Sequence, residues 1–338
     1  MQVMRDFSLK QHNTFGLDVN AELLTILRHR DELQRLPGLY AESGGKVMVL
    51  GGGSNILFTK NVEGLVLKVE TTGITEIGED DNSVFIRVEG GLEWNVLVDY
   101  CVSRNWGGIE NLALIPGRVG ASPIQNIGAY GVELKDVFYE LEAFEFSSGN
   151  TMTFTADMCH FGYRDSYFKR EGKNRFLILS VTLRLSKAPE IKLEYGAVKD
   201  EVFRLNPLMP TIINVRDAIV SIRRSKLPDP AVVGNAGSFF KNPSVDDAFF
   251  LSLKTDFPGL ITYPTGQGSH KLAAGWLIEQ CGWKGKRRGD AGVHDKQSLV
   301  LVNYGDATGN QILELAADIV HSVNQRFGVS LETEVNIL

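Results

Sequence analysis

The chain has 338 residues, of which 43% are hydrophobic and 22% charged. That is long enough for two or three domains and ordinary for a packed globular protein. Its formal net charge is −6 with no dominating basic tract, which argues against nucleic acid as a partner. Cys101, Cys159 and Cys281 lie far apart without a C-x-x-C pair, so no disulfide framework or zinc site is expected and a reducing compartment fits. The opening MQVMRDFSLKQHN lacks the apolar segment of a signal peptide, and no run of about 18 apolar residues occurs. A cytoplasmic protein without a membrane partner is the expectation.

Residues 46–50 (KVMVL) read as a strand that runs straight into Gly51, Gly52, Gly53, Ser54 and Asn55. Residues 64–69, 83–88, 137–146 and 176–185 are further strand candidates, rich in β-branched and aromatic side chains. Residues 92–104 predict a helix, with Trp94, Leu97, Val98 and Cys101 on one stripe and Gly107-Gly108 as the stop. This mixture of short strands and helices predicts an α+β fold rather than a strict βαβ array. Leu227-Pro228-Asp229-Pro230 is a stiff connector and marks a domain boundary near residues 223–230. Beyond it, residues 271–281 predict a helix and 298–303 a strand. Residues 308–327 predict an amphipathic helix with Ile312, Leu315, Ala316, Ile319, Val320 and Val323 on its buried side and Gly328 after it.

The stretch 116–131, PGRVGASPIQNIGAYG, holds four glycines, two side-chain amides and a single charge at Arg118. So much glycine opposes a regular helix, and too few apolar side chains recur for a core segment. Bare N–H and C=O groups, with Ser122, Gln125 and Asn126 adding donors and acceptors, suit a flat heterocycle. A turn without a ligand is the competing reading. Residues 51–55 offer consecutive unshielded N–H groups, a nest suited to pyrophosphate, although a plain turn has the same composition. In Gly162-Tyr163-Arg164-Asp165-Ser166, the guanidinium can grip a carboxylate or enolate with paired N–H bonds, or make only a local Arg–Asp pair. Ser238 sits in GNAGSFFKNP without G-x-S-x-G or a Ser-His-Asp pattern. It is a structural serine or, in a dry pocket, a proton donor. Glu332 and Glu334 read as a solvated strand edge with both carboxylates on one face. Two basic clusters, Arg223, Arg224 and Lys226, then Lys284, Lys286, Arg287 and Arg288, are solvated faces or docking points for a phosphate-bearing ligand. The histidines show no ligand spacing, so no metal is expected.

Taken in order, NTFG at 13–16, GGGSN, ENLALIPGRVGASPIQNIGAYG, GYRDS, LPDP, GNAGSFFKNP, KLAAGWLI and LETEV resemble the UDP-N-acetylenolpyruvoylglucosamine reductase family from end to end. The resemblance implies an α+β fold with a two-part FAD-binding domain of the vanillyl-alcohol-oxidase-like type and a C-terminal α+β substrate domain. Its expected boundaries are 1–66 and 67–224 for the two FAD-binding subdomains and 225–338 for the substrate domain. It implies non-covalent FAD, with the diphosphate on Gly51, Gly52, Gly53, Ser54 and Asn55 and the ring near Ser122, Gln125 and Ile127. It places the family's catalytic residues on Ser238, Arg164 and Glu334 and its substrate contacts on Tyr195, Lys226 and Asn242. Tyr195, within LEYG, marks the subfamily with an extra loop. Arg118 departs from the small residue that relatives often carry after Pro-Gly.

The implied activity is NADPH-dependent reduction of UDP-N-acetylglucosamine enolpyruvate in peptidoglycan precursor synthesis, with no obligatory protein partner. Two other functions remain at this point. An FAD-dependent sugar or alcohol oxidase would need a base for its C–H donor and often a tethering His or Cys, absent from the flavin-loop strings. A non-catalytic nucleotide-sugar or flavin-binding module would have no use for Ser238, Arg164 and Glu334 together.

Overall fold

The computed structural model describes residues 1–195, 197–264 and 268–338. It divides into two compact units. The first comprises Met1–Phe7, Asn20–Gly53 and Val62–Ser225; the second comprises Ser8–Val19, Ser54–Asn61 and Lys226–Leu338.

The first unit holds a four-stranded and a five-stranded sheet, besides a two-stranded hairpin at Gly128–Ala129 and Val132–Glu133. Strands β1 (Val3–Ser8), β2 (Asn20–Leu27), β3 (Val47–Leu50) and β4 (Val62–Val69) form one sheet in the order β1-β2-β4-β3, with β2 and β3 both parallel to β4. Strands β5 (Ile74–Glu79), β6 (Ser83–Glu89), β7 (Phe138–Glu145), β8 (Thr151–Thr155) and β9 (Phe176–Ser186) form an antiparallel sheet in the order β8-β7-β9-β6-β5. β9 is central, and its first eight residues are buried on both faces, which explains its nearly unbroken apolar sequence. Helix α1 (Trp94–Ser103) turns Trp94, Leu97, Val98 and Cys101 into the core around this sheet, as their spacing of three and four requires. The Trp94 indole also donates to Leu112 O at 3.0 Å, so burying it leaves no unpaired N–H. Helix α2 (Ile212–Lys226) buries Ile212, Val215, Ala218, Ile219 and Ile222 in the same core.

In the second unit, β10 (Gly234–Ser238), β11 (Arg287–Arg288), β12 (Ala291–Val293) and β13 (Val300–Asn303) form an antiparallel sheet in the order β10-β13-β12-β11. Helix α3 (Ala274–Gln280) is shorter than the expected 271–281, because Lys271 and Leu272 end the strand Ser269–Leu272 instead. That strand pairs on both sides, and these ladders outweigh the helical spacing that begins at Lys271. Helix α4 (Gly309–Phe327) is the expected amphipathic helix. Thr308 and Gln311 close a capping box at its start, Gly328 adopts φ +66° after its end, and Val320 is only half-buried. No regular strand spans residues 331–335. Thr333 alone makes a bridge, to Phe240, and a two-residue strand follows at Asn336–Ile337.

The NTFG string belongs to this unit and buttresses β10. Thr14 Oγ1 donates to Asn235 O at 2.6 Å, and Asn235 N donates to Thr14 O at 3.0 Å. A Cβ on Gly234 would lie 2.3 Å from Phe15 O, so only glycine allows the approach.

Candidate active site

In the first unit the glycine-rich stretch lies backbone to backbone against its neighbours. Trp94 N donates to Gly117 O at 3.0 Å, Val119 N to Leu92 O at 2.9 Å and Gly120 N to Gly90 O at 2.8 Å. The end of the strand–glycine turn packs on the same loop: a Cβ on Gly52 would sit 3.3 Å from Gly117 Cα, and one on Gly51 would sit 3.3 Å from Arg118 Cγ. Where Gly52 meets Gly117 the seam is backbone against backbone, and glycines 51–53 leave their amides unshielded, as a dinucleotide's diphosphate requires. These residues fit FAD. The stem of Arg118 lies against Gly51, and its Nη1 lies 3.2 Å from Gly91 O and 3.4 Å from Glu93 Oε1.

The expected ring neighbours behave differently from one another. Ser122 is buried and its hydroxyl donates to Val119 O at 2.6 Å, so it closes its own turn and faces a ligand only as an acceptor. Ile127 is buried as an apolar wall, and Gln125 is half-buried. Gly51, Gly52 and Gly53 belong to the first unit, Ser54 and Asn55 to the second.

Arg164 is held on a tight turn. Gly162 and Asp165 exchange main-chain bonds of 3.0 and 3.4 Å, and Arg164 between them adopts φ +54°. That conformation costs a non-glycine residue about 1–3 kcal/mol, so the surroundings must impose it. Arg164 Nη2 donates to Gly128 O at 2.7 Å, and its guanidinium carbon lies 5.4 Å from the centre of the Tyr163 ring. Asp165 pairs with Arg170.

A second guanidinium near Arg164 was legible in the sequence only as one member of a basic cluster. Arg223, on α2, donates to the Tyr130 hydroxyl oxygen, and its Nε is buried with no partner among the described residues. Burial lowers its pKa, the Tyr130 hydroxyl opposes this, and the like charge of Arg164 lowers it further. Tyr130 meets Tyr195 edge to face, with ring centres 6.0 Å apart, and Tyr195 is exposed. Gly196, the last residue of the LEYG string, lies outside the described residues.

In the second unit, Ser238 ends β10 and is half-buried. The chain after it pairs with the C-terminal segment: Glu334 N donates to Phe239 O at 2.8 Å and Lys241 N to Glu332 O at 2.9 Å. Ser238 and Glu334 are thus brought side by side through main-chain bonds. Asn55 joins them, since its Nδ2 lies 3.3 Å from Glu334 O and its own carbonyl accepts from Asn336 N at 3.1 Å. Glu332, the other glutamate, points to an ion pair with Lys241 at 2.9 Å. Asn242 accepts from Ala274 N at 3.0 Å through Oδ1, which aims its Nδ2 donors elsewhere. Lys226 is exposed.

The second basic cluster is a solvated, locally neutralised face. Lys284 pairs with Glu279 at 2.9 Å, Arg287 with Asp290 at 2.7 Å and Arg288 with Asp318 at 2.6 Å. Among the described residues, no three His, Cys, Asp or Glu side chains are grouped to hold a metal ion. No helix among them is long and apolar enough to cross a membrane.

Residues 229–338 match the family profile of the UDP-N-acetylenolpyruvoylglucosamine reductase C-terminal domain, and residues 21–155 match an FAD binding domain. The UDP-N-acetylenolpyruvoylglucosamine reductases of Pseudomonas syringae pv. tomato and Pseudomonas aeruginosa are each 48% identical over 337 residues, covering 100% of this chain and 99% of theirs. That of Amoebophilus asiaticus is 45% identical over 338 residues, with 100% of both chains covered. The crystal structure of the Thermus caldophilus UDP-N-acetylenolpyruvylglucosamine reductase superposes with a TM-score of 0.70 at 25% identity, over 100% of this chain and 99% of that one.

Proposed function

The chain belongs to the UDP-N-acetylenolpyruvoylglucosamine reductase family, and on that premise we propose that Ser238, Arg164 and Glu334 carry its reaction. The protein is an FAD- and NADPH-dependent oxidoreductase that reduces UDP-N-acetylglucosamine enolpyruvate to UDP-N-acetylmuramate in peptidoglycan precursor synthesis. For the residue roles, the observation that carries the reading is the main-chain bond from Glu334 N to Phe239 O, 2.8 Å, which sets Glu334 beside Ser238.

The strand–glycine turn at 51–55 and the 116–131 loop would hold FAD, which would supply C3 of the enol ether with a hydride drawn from NADPH. Negative charge then collects at C2 and spreads into the substrate carboxylate. Arg164 meets that charge with a permanently cationic, two-pronged donor. Glu334 helps only by sharing a proton or a hydrogen bond, since a bare carboxylate would repel an enolate. The Ser238 hydroxyl gives its proton to C2, which completes the lactyl ether. A hydroxyl is a weak acid in water, so this step depends on exclusion of solvent. Tyr195, Lys226 and Asn242 are assigned to the UDP-sugar, with the lysine ammonium facing its diphosphate.

The same reading assigns residues 1–66 and 67–224 to two FAD-binding subdomains and 225–338 to a substrate domain. It places the enzyme in the cytoplasm, where its nucleotide-sugar substrate and NADPH are made. The test is anaerobic. NADPH should bleach the flavin absorption of the purified protein, and the enol ether should restore it with one lactyl ether formed per flavin. Yellow protein that NADPH fails to bleach, with or without the enol ether, contradicts the reading.

A further inference from the structure

Between the ring-binding loop and the arginine turn stands a buried side chain with no part in the chemistry above. Asn126 is fully buried and adopts φ +43°, a left-handed conformation that asparagine tolerates better than most residues. Its Nδ2 donates to Gly162 O and to Glu133 Oε2, both at 3.0 Å, while its Oδ1 accepts from Lys135 N at 3.0 Å. Gly162 O is also the carbonyl that accepts from Asp165 N to close the turn carrying Arg164. Two further bonds run between the same loops. Ser166 Oγ donates to Ile124 O at 2.7 Å, and Arg164 Nη2 donates to Gly128 O at 2.7 Å. The 124–128 segment and the 162–166 turn are thus joined at both ends and in the middle, with Asn126 as the central and most deeply buried strap.

We infer that Asn126 is a positioning residue that fixes the Arg164 guanidinium relative to the flavin-ring loop. The inference rests on the proposed role of Arg164 and extends it. A substrate carboxylate recognised by Arg164 must present C3 to the ring within a fraction of an ångström, and misplacement of about 1 Å can slow a reaction about 10²-fold. A turn left to itself would relax from the left-handed conformation at Arg164. The Asn126 amide prevents this by holding the carbonyl at the turn's neck. The composition of 116–131 gives no hint of this role, because an asparagine in a glycine-rich stretch reads as a loop residue or a ligand donor.

The experiment compares holoenzymes carrying Asn126→Ala, Ser166→Ala and Arg164→Lys with the parent. Flavin reduction by NADPH and flavin reoxidation by the enol ether are measured separately. Amide exchange is followed in the peptide spanning 162–169. Asn126→Ala should retain FAD, keep reduction by NADPH within about threefold, and slow reoxidation by the enol ether about 10- to 100-fold. Exchange in 162–169 should rise while peptides from β7 and β9 stay protected. Ser166→Ala, which removes an outer strap, should shift both readouts the same way by less, and it carries the test if Asn126→Ala does not fold. Slow reoxidation in Arg164→Lys with parental rates and exchange in both strap variants overturns the positioning role and leaves the role of Arg164 standing. Parental reoxidation in Arg164→Lys removes the role of Arg164, and the inference falls with it. Loosened exchange throughout the first unit would make Asn126 a general stabiliser and also overturns the inference.

Discussion

The two halves of the proposed chemistry are held in place by different means. Around Ser238 and Glu334, main-chain bonds do the holding: Phe239 N to Leu299 O, Glu334 N to Phe239 O and Lys241 N to Glu332 O, at 2.7–2.9 Å. Around Arg164, side chains do it: Asn126, Ser166 and Arg164 itself reach across to carbonyls of the facing loop. A main-chain ladder survives replacement of any one side chain, whereas a side-chain strap disappears with its residue. Substitutions in the second unit should therefore report chemistry, and substitutions near Arg164 should report chemistry mixed with geometry.

The sharpest way to break that contrast is Ser238→Ala. The variant keeps every main-chain bond of β10, so FAD content, unfolding temperature and reduction by NADPH should match the parent. Reoxidation by the enol ether should fall by more than about 10³-fold. Loss of one well-placed donor alone costs about 10²–10³, and here the transferred proton goes as well. Stopped-flow absorbance at the flavin band reads this directly. Unchanged reoxidation would remove Ser238 from the mechanism, and a large drop in unfolding temperature would break the contrast between the two regions.

Gly120→Ala tests the first unit where its loop is held by backbone alone. A Cβ there would lie 3.1 Å from Gly90 Cα, Gly90 O and Ile178 O, all main-chain atoms that cannot swing aside. Overpacking of this kind costs about 1–3 kcal/mol, and the strain falls on the seam where the flavin is expected. The variant should be purified with less FAD and bind added FAD more weakly, as read by flavin fluorescence, while the sheet of the second unit stays intact. Parental FAD affinity would show that the seam yields, and the bare-backbone argument for the cofactor site would lose its basis.

What the sequence disclosed follows the same division between backbone and side chains. The strand 46–50 leading into bare glycines, the stripe on α1 and the capped amphipathic α4 are local patterns, and each is present. The glycine-rich 116–131 stretch was legible as a non-helical platform because its composition forbids most alternatives. β2 was not legible. Its sequence NAELLTIL is full of good helix formers, and pairing with β1 on one side and β4 on the other makes it a strand. The expected strand at 331–335 reduces to one bridge, because that segment serves the neighbouring 239–241 chain rather than a sheet. Asn126 was legible as a ligand donor and Arg223 as one of a basic cluster, but not with the partners they have, because Gly162 and Tyr130 lie 36 and 93 positions away.

The smallest expected effect comes from a strap of the same bonding type placed at the surface. Glu32 accepts from Arg28 N at 2.9 Å and His29 N at 3.1 Å and pairs with the Met1 ammonium at 3.2 Å. Partial burial pushes its pKa up, but the two N–H donors and the ammonium together bring it down to about 2, from an ordinary 4.5. A carboxylate depressed in the folded state stabilises fully above its unfolded pKa and loses that contribution as pH falls through the folded one. The contribution of Glu32 should therefore fade between about pH 4.5 and pH 2 and be constant above that window. Glu32→Gln should slightly lower the unfolding temperature at neutral pH and flatten the acid limb of the stability curve in that window, leaving both flavin half-reactions untouched. Solvent screens this strap, as it does not screen the buried Asn126, so the shift should be small. A large loss of stability in Glu32→Gln would mean that burial does not set the strength of such straps, and the distinction between the arginine turn and an ordinary surface loop would collapse.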